Sequence, residues 1–139
     1  MSCEIGVSLD TTIAAMDVLI HSAKKFPFAG LLSLRYVRAS KAKLAFTKFA
    51  PITCTIELPA AGSRRTVEFY TRAFNALEAA KIPYTLHWGQ MNNFTPQRVR
   101  KMWGTAVDEW IAARHSLLAT PKARYRFSNK LSGDCGLDA

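Results

Sequence analysis

A run of hydrogen-bonding side chains stands at His87, Trp88, Gln90, Asn92 and Asn93, with Gly89 among them. Imidazole, indole and carboxamide groups can donate to or accept from a ligand hydroxyl or carbonyl. Gly89 lets the backbone turn or approach a ligand closely. The same composition suits a loop whose side chains bond only to one another, and the residues alone leave both readings open. Arg35 is a second candidate. It lies between Leu34 and Tyr36 in an otherwise apolar stretch, so it must reach an edge, pair with an acid or meet an anion. Glu57 is a partner for a structural pair. The alternative is a substrate oxygen or a cofactor edge, where a fixed positive charge would stabilise negative charge formed in a reaction. Asn129, two residues after Phe127, is a third: either a turn former or a side chain that faces a site.

Other chemistry lacks its parts. There is no GxGxxG, P-loop or GxSxG pattern. Cys3, Cys54 and Cys135 are far apart, and no CxxC or Cys/His cluster has metal-ligand spacing, so no metal site is expected. His21 and His115 fall on expected helices without a paired acid or thiol. His115 near a helix C-terminus is most simply a complement to the helix dipole.

The chain has 139 residues, 49% of them apolar, which suffices for a folded core and excludes a disordered chain. No apolar run approaches the roughly 20 residues of a membrane helix. MSCEIGVSLD lacks the basic and apolar regions of a secretory signal, so the expectation is cytoplasmic, with peripheral membrane association of a larger parent left open. The formal charge of +9 invites nucleic acid, an anionic membrane or an acidic partner. The basic residues are spread among apolar ones as in amphipathic elements, so nucleic acid is not expected.

These residues must be held by regular elements. Residues 3–9 have strand character. Ile13, Met16, Leu19, Ile20 and Ala23 give a helical stripe over 11–25, with Asp10 or Thr11 as cap. Residues 31–38 alternate as a strand, with Leu32, Leu34 and Tyr36 on one face and Ser33, Arg35 and Val37 on the other. After a basic loop or hairpin over 39–51, the β-branched run 52–58 is a third strand. Ser63 opens a second helix with a stripe of Val67, Tyr70, Phe74 and Leu77. Tyr84 to His87 form a short fourth strand. The order β-α-β-β-α-β is that of the ferredoxin-like split βαβ, an α+β fold with an antiparallel sheet and both helices on one face. This core is expected over 1–90, with a helical extension over 91–139. Thr95-Pro96 starts a helix. Thr105 and Asp108 stand at capping-box-like spacing for another that runs to about Leu118. Residues 123–131 read as extended.

The segments SLRYVRASKAKLAF (33–46), TCTIELP (53–59), IPYTLHWGQ (82–90), VRKMWG (99–104) and RFSNKL (126–131) together resemble the C-terminal half of FAD-linked oxidases of the vanillyl-alcohol oxidase superfamily. The likeness is to the aldono-lactone and alditol oxidases, with some similarity to flavin-linked cholesterol oxidases. It implies a cap domain that covers a flavin and shapes a pocket for a small hydroxyl-bearing substrate. It also implies an N-terminal FAD-binding domain, outside this chain, in cis or on a separate subunit. FAD would then be a cofactor of the larger enzyme and not be held by this chain alone. Arg35, His87 and Gln90 would be catalytic, and Ser33, Trp88, Asn92 and Asn129 would face substrate or flavin. The family's pattern has Glu where Ser33 stands and Lys where Gln90 stands. The rival reading is a free-standing ferredoxin-like module that binds a small molecule or RNA.

Overall fold

The computed structural model describes residues 1–138, which form two compact units. The first comprises Met1–Lys41 and Ala45–Asn93; the second comprises Ala42–Leu44 and the chain from Phe94 on.

In the first unit the elements run β1 (Glu4–Ser8), a short 3-10 turn (Leu9–Thr11), α1 (Thr12–Lys25), β2 (Ser33–Arg38), β3 (Ile52–Glu57), α2 (Arg64–Ala79) and β4 (Thr85–Leu86). The sheet order is β2-β3-β1-β4, and every pairing is antiparallel. This is the ferredoxin-like α+β arrangement, with β1 and β3 at the centre. The register sets Ile5 beside Ile56 and Leu86, and Val7 beside Cys54. These side chains are fully buried on the face that the helices cover. Phe69, Tyr70, Phe74 and Leu77 of α2 close that core, with the Phe74 ring stacked on Tyr84 and the Tyr70 hydroxyl donating to the Leu58 carbonyl at 2.6 Å.

The buried stripe of α1 is Thr12, Ala15, Leu19 and Ser22, and Ile13 and Ile20 point outward. This corrects the expected stripe. Hydrophobicity weighted the two isoleucines, but the small Ala15 and Ser22 occupy the buried side. Val67 of α2 is likewise exposed, and Phe69 is buried in its stead. Edge strand β2 is mostly exposed on both faces, Leu34 and Tyr36 included. Its alternation therefore does not translate into burial. Ser63 caps α2 through a 3.1 Å bond from the Thr66 amide.

The second unit contains α3 (Pro96–Trp103), α4 (Ala106–Leu117), α5 (Pro121–Arg126) and α6 (Lys130–Asp134). Thr95 caps α3, with Pro96 at its first position, as the sequence indicates. Thr105 makes no cap bond to α4, and Asp108 instead pairs with Arg100 at 2.7 Å. The expectation of an extended 123–131 is overturned: this stretch spans the end of α5, a turn and the start of α6. Thr120 and Asn129 cap the two short helices, and each cap satisfies an amide that a strand would have left for a neighbour. Buried Arg114 ties α4 to the segment that follows, donating to the Arg124 carbonyl at 3.1 Å and the Ser128 hydroxyl at 2.7 Å.

Among the described residues no helix is long and apolar enough to cross a membrane. All three cysteines are buried and free, and burial pushes each thiol above its ordinary value of 9.0. Burial likewise pushes the Tyr70 phenol up to about 12. The folded chain thus binds more protons than the unfolded chain once pH passes 9, where the unfolded thiols ionise. Stability is full below that pH and declines as pH rises through it; the Tyr70 contribution is lost between its ordinary value of 10.0 and about 12. Urea midpoints taken at neutral and alkaline pH should fall progressively; a flat series would contradict this account.

Candidate functional site

Strand periodicity assigns every second side chain to the helix-free face of the sheet. Along one row, Ser33 of β2 stands opposite Glu57 of β3, and Glu57 opposite Glu4 of β1. The His87 amide donates to the Glu4 carbonyl at 3.0 Å, which extends the row past β4. The next row is Arg35, Thr55, Gly6 and Thr85. Two residues before Thr55, Thr53 lies on the same face. Apart from Val37, which stands opposite Thr53, the face is therefore mostly polar, while the reverse of its central strands is the apolar core.

Residues 45–50 lie over part of it. The Thr85 hydroxyl donates to the Phe46 carbonyl. Thr53 Oγ1 accepts from the Phe49 amide at 3.0 Å and donates to the Phe49 carbonyl at 3.1 Å. Thr53, Thr55 and Thr85 are buried, and the Thr53 and Thr85 hydroxyls give this covering segment bonding partners that aliphatic side chains could not. The Phe46 ring meets the His87 ring edge to face at 4.8 Å. Gly6 permits the close approach, since a Cβ there would stand 2.4 Å from the Phe46 carbonyl oxygen.

Arg35 does not snorkel away. Its guanidinium pairs with Glu57 through Nη2, and Nη1 stands 3.9 Å from Glu4. Ser2 donates to the other Glu57 oxygen at 3.3 Å. Glu4 is buried, Glu57 is half-buried and Arg35 is open to solvent. One guanidinium thus faces two carboxyl groups at the exposed edge of the face. Glu57 was legible as a partner for Arg35. Glu4 and Phe46 carry no signal in their own segments, and only the pairing of β1 with β3 and the path of residues 45–50 bring them in.

His87 Nδ1 accepts from the Gly89 amide at 3.1 Å, so the neutral ring carries its proton on Nε2. The Gln90 amide returns to the His87 carbonyl at 3.4 Å, and Asn92 Nδ2 donates to the Gln90 carbonyl at 2.8 Å. Asn92 is in this way a structural clamp of the turn, and Trp88 is half-buried within it. Gln90 Oε1 and Asn93 Oδ1 are buried acceptors with no hydrogen-bond partner. Ser33, Arg35 and His87 share the helix-free face, and Gln90 lies three residues beyond His87. Asn129 lies in the second unit, where its side chain accepts from the Ser132 amide at 2.9 Å as the cap of α6. That bond answers the turn-forming reading of Asn129.

Among the described residues no cluster of His, Cys, Asp and Glu could hold a metal ion. No protein-family model matches the chain, and no curated protein matches it either.

The tight seat of Phe46 over β1 makes a stability prediction. Gly6→Ala should lower unfolding free energy by about 1–3 kcal/mol, because backbone rather than a flexible side chain must give way. Gly62→Ala, where a Cβ meets nothing within 4 Å, is the control and should stay within about 0.5 kcal/mol. Equal denaturation midpoints for the two variants would remove the argument.

Proposed function

We propose that this chain is the substrate-binding cap domain of an FAD-dependent oxidoreductase that oxidises an alcohol, lactone or sugar-like hydroxyl. The observation that carries the reading is the gathering of Ser33, Arg35 and His87 on the one polar, helix-free face of the sheet, beside Glu57 and Glu4. These are the positions at which the resemblance to FAD-linked oxidases expects substrate contacts.

The chemistry of the donor set fits a neutral hydroxyl. A hydroxyl both donates and accepts, and the face offers both kinds of partner: Arg35 and His87 Nε2–H as donors, and Glu57 as acceptor. An anionic substrate would meet two carboxyl groups beside one guanidinium. Ser33 stands where the family has an acid, yet Glu57 faces it directly across the strand pair. A carboxyl group is therefore kept against the same arginine. The chain has no glycine-rich pyrophosphate loop, so its residues suit one edge of a flavin and not its cradle. The flavin, held by an FAD-binding domain in the same chain or on a separate subunit, supplies the hydride acceptor. This chain's residues orient the hydroxyl-bearing carbon and close the site to water.

An RNA-binding module of this fold stacks bases on aromatic side chains of its central strands. Here β1 and β3 present carboxyl groups and threonines on the open face. Tyr36 pairs in register with Cys54 on the reverse face, and Tyr84 stacks on Phe74. That composition favours the flavin-partnered reading.

The test is anaerobic bleaching of flavin absorbance by polyols and lactones, with this chain joined to its FAD-binding domain. Arg35→Ala should slow bleaching by about 10²-fold or more and Gln90→Ala by less, with His115→Ala near normal. Normal rates for the first two variants would refute the assignment, as would one-to-one flavin binding by this chain alone.

A further inference from the structure

The helix layer of the first unit carries a cavity unrelated to the polar sheet face. It lies between α1 and α2, has a volume of about 370 Å³, and is lined by His21, Lys25, Phe26, Arg72 and Asn75 among others. Helical spacing builds it. His21 and Lys25 are one turn apart on α1, and Arg72 and Asn75 are nearly so on α2. A second cavity of about 280 Å³ adjoins it, shares Lys25 and Phe26, and adds Arg65. No acid lines the first cavity; Glu68 lines the second.

Arg72 is held in place. Its Nε and Nη2 donate to Glu68 Oε1 at 3.1 and 2.6 Å, and its guanidinium lies 3.7 Å from the centre of the Phe26 ring. Both bonds use one edge of the fork and leave Nη1 outside the pair with Glu68, on a residue that lines the cavity. The C-terminal dipole of α1 opposes an anion here, and Lys24 and Lys25 in the last turn offset it.

We infer that this groove binds a phosphate monoester. Lys25, Arg72 and His21 would hold the phosphoryl oxygens in the larger cavity, and the organic part would lie along Phe26 in the smaller one. The larger volume is within the range of small-ligand sites, and paired cationic donors around an aromatic wall suit a compact dianion with an apolar body. The source is either a soluble phosphate ester or a phosphomonoester lipid headgroup.

The experiment is an NMR titration of the full chain with phenyl phosphate, at ionic strength matched with chloride. Saturable shifts confined to the amides of residues 21–26 and 72–76 are expected. Lys25→Gln and Arg72→Gln should each weaken binding by about tenfold while leaving the remaining spectrum unchanged. Flotation with phosphatidylcholine vesicles that contain phosphatidate gives the second arm. Vesicle capture lost in the same two variants marks the lipid headgroup, and phenyl phosphate binding without capture marks a soluble ester. Binding of neither probe, or unchanged binding in both variants, overturns the inference.

Discussion

The antiparallel pairing of β1 with β3 is the constraint on which the rest depends. Its register places Ile5, Val7, Cys54 and Ile56 together under the helices. A slip of one residue would turn one strand's pair to the opposite face. The three larger aliphatics alone contribute about 1.5–3 kcal/mol each by burial. That sum is comparable with the whole stability of a small domain, about 5–15 kcal/mol, so the register is fixed. Glu4, Gly6, Thr53, Thr55 and Glu57 are then carried to the other face whatever their own preferences.

Two consequences follow on that face. Glu4 and Glu57 are brought side by side, an arrangement that like charges alone would disfavour, and Arg35 reaches across from the edge strand to bridge them. The buried threonines and Gly6 then need a cover that offers backbone partners and makes no demand for space at Gly6. Residues 45–50 provide it through the Phe46 and Phe49 backbone. The placement of Phe46 against His87 is thus a product of the central strand pair and not of the loop sequence.

The core architecture was legible because the central strands are rich in β-branched residues and α2 has a strong apolar stripe. Both helix starts marked by Ser63 and Thr95 were legible for the same reason that they form: a short hydroxyl side chain bonds the third helical amide. The faces of α1 and β2 were not legible from pattern alone. In α1 the isoleucines outweighed the smaller residues that line the buried side, and in β2 an edge position exposes both faces. The end of the chain misled for a different reason. Alternation in ARYRFSNKL reads as a strand, while Thr120 and Asn129 each supply a cap that makes six- and five-residue helices sufficient. At the candidate site, Arg35 and His87 were visible as residue types. Glu4 was invisible, since it joins them only through a pairing between strands about fifty residues apart in sequence.

The charge of the molecule and the chemistry of its candidate site therefore have different origins. A net charge of +9 suggests at first that a cationic pocket is the functional feature. On the sheet face the opposite holds, since two carboxyl groups surround the single guanidinium. The basic excess includes the helix layer, where Lys25, Arg65 and Arg72 border one continuous groove. A polar face with matched donors and acceptors selects a neutral, hydroxyl-bearing group by geometry, because either an unmatched donor or an unmatched acceptor left buried there carries a desolvation cost. A groove in which Lys25, Arg65 and Arg72 outnumber one acid, Glu68, selects by charge and so responds to salt. The two faces of this one sheet-and-helix sandwich are accordingly suited to different ligands, and raising ionic strength separates them: it weakens the second and leaves the first nearly unchanged.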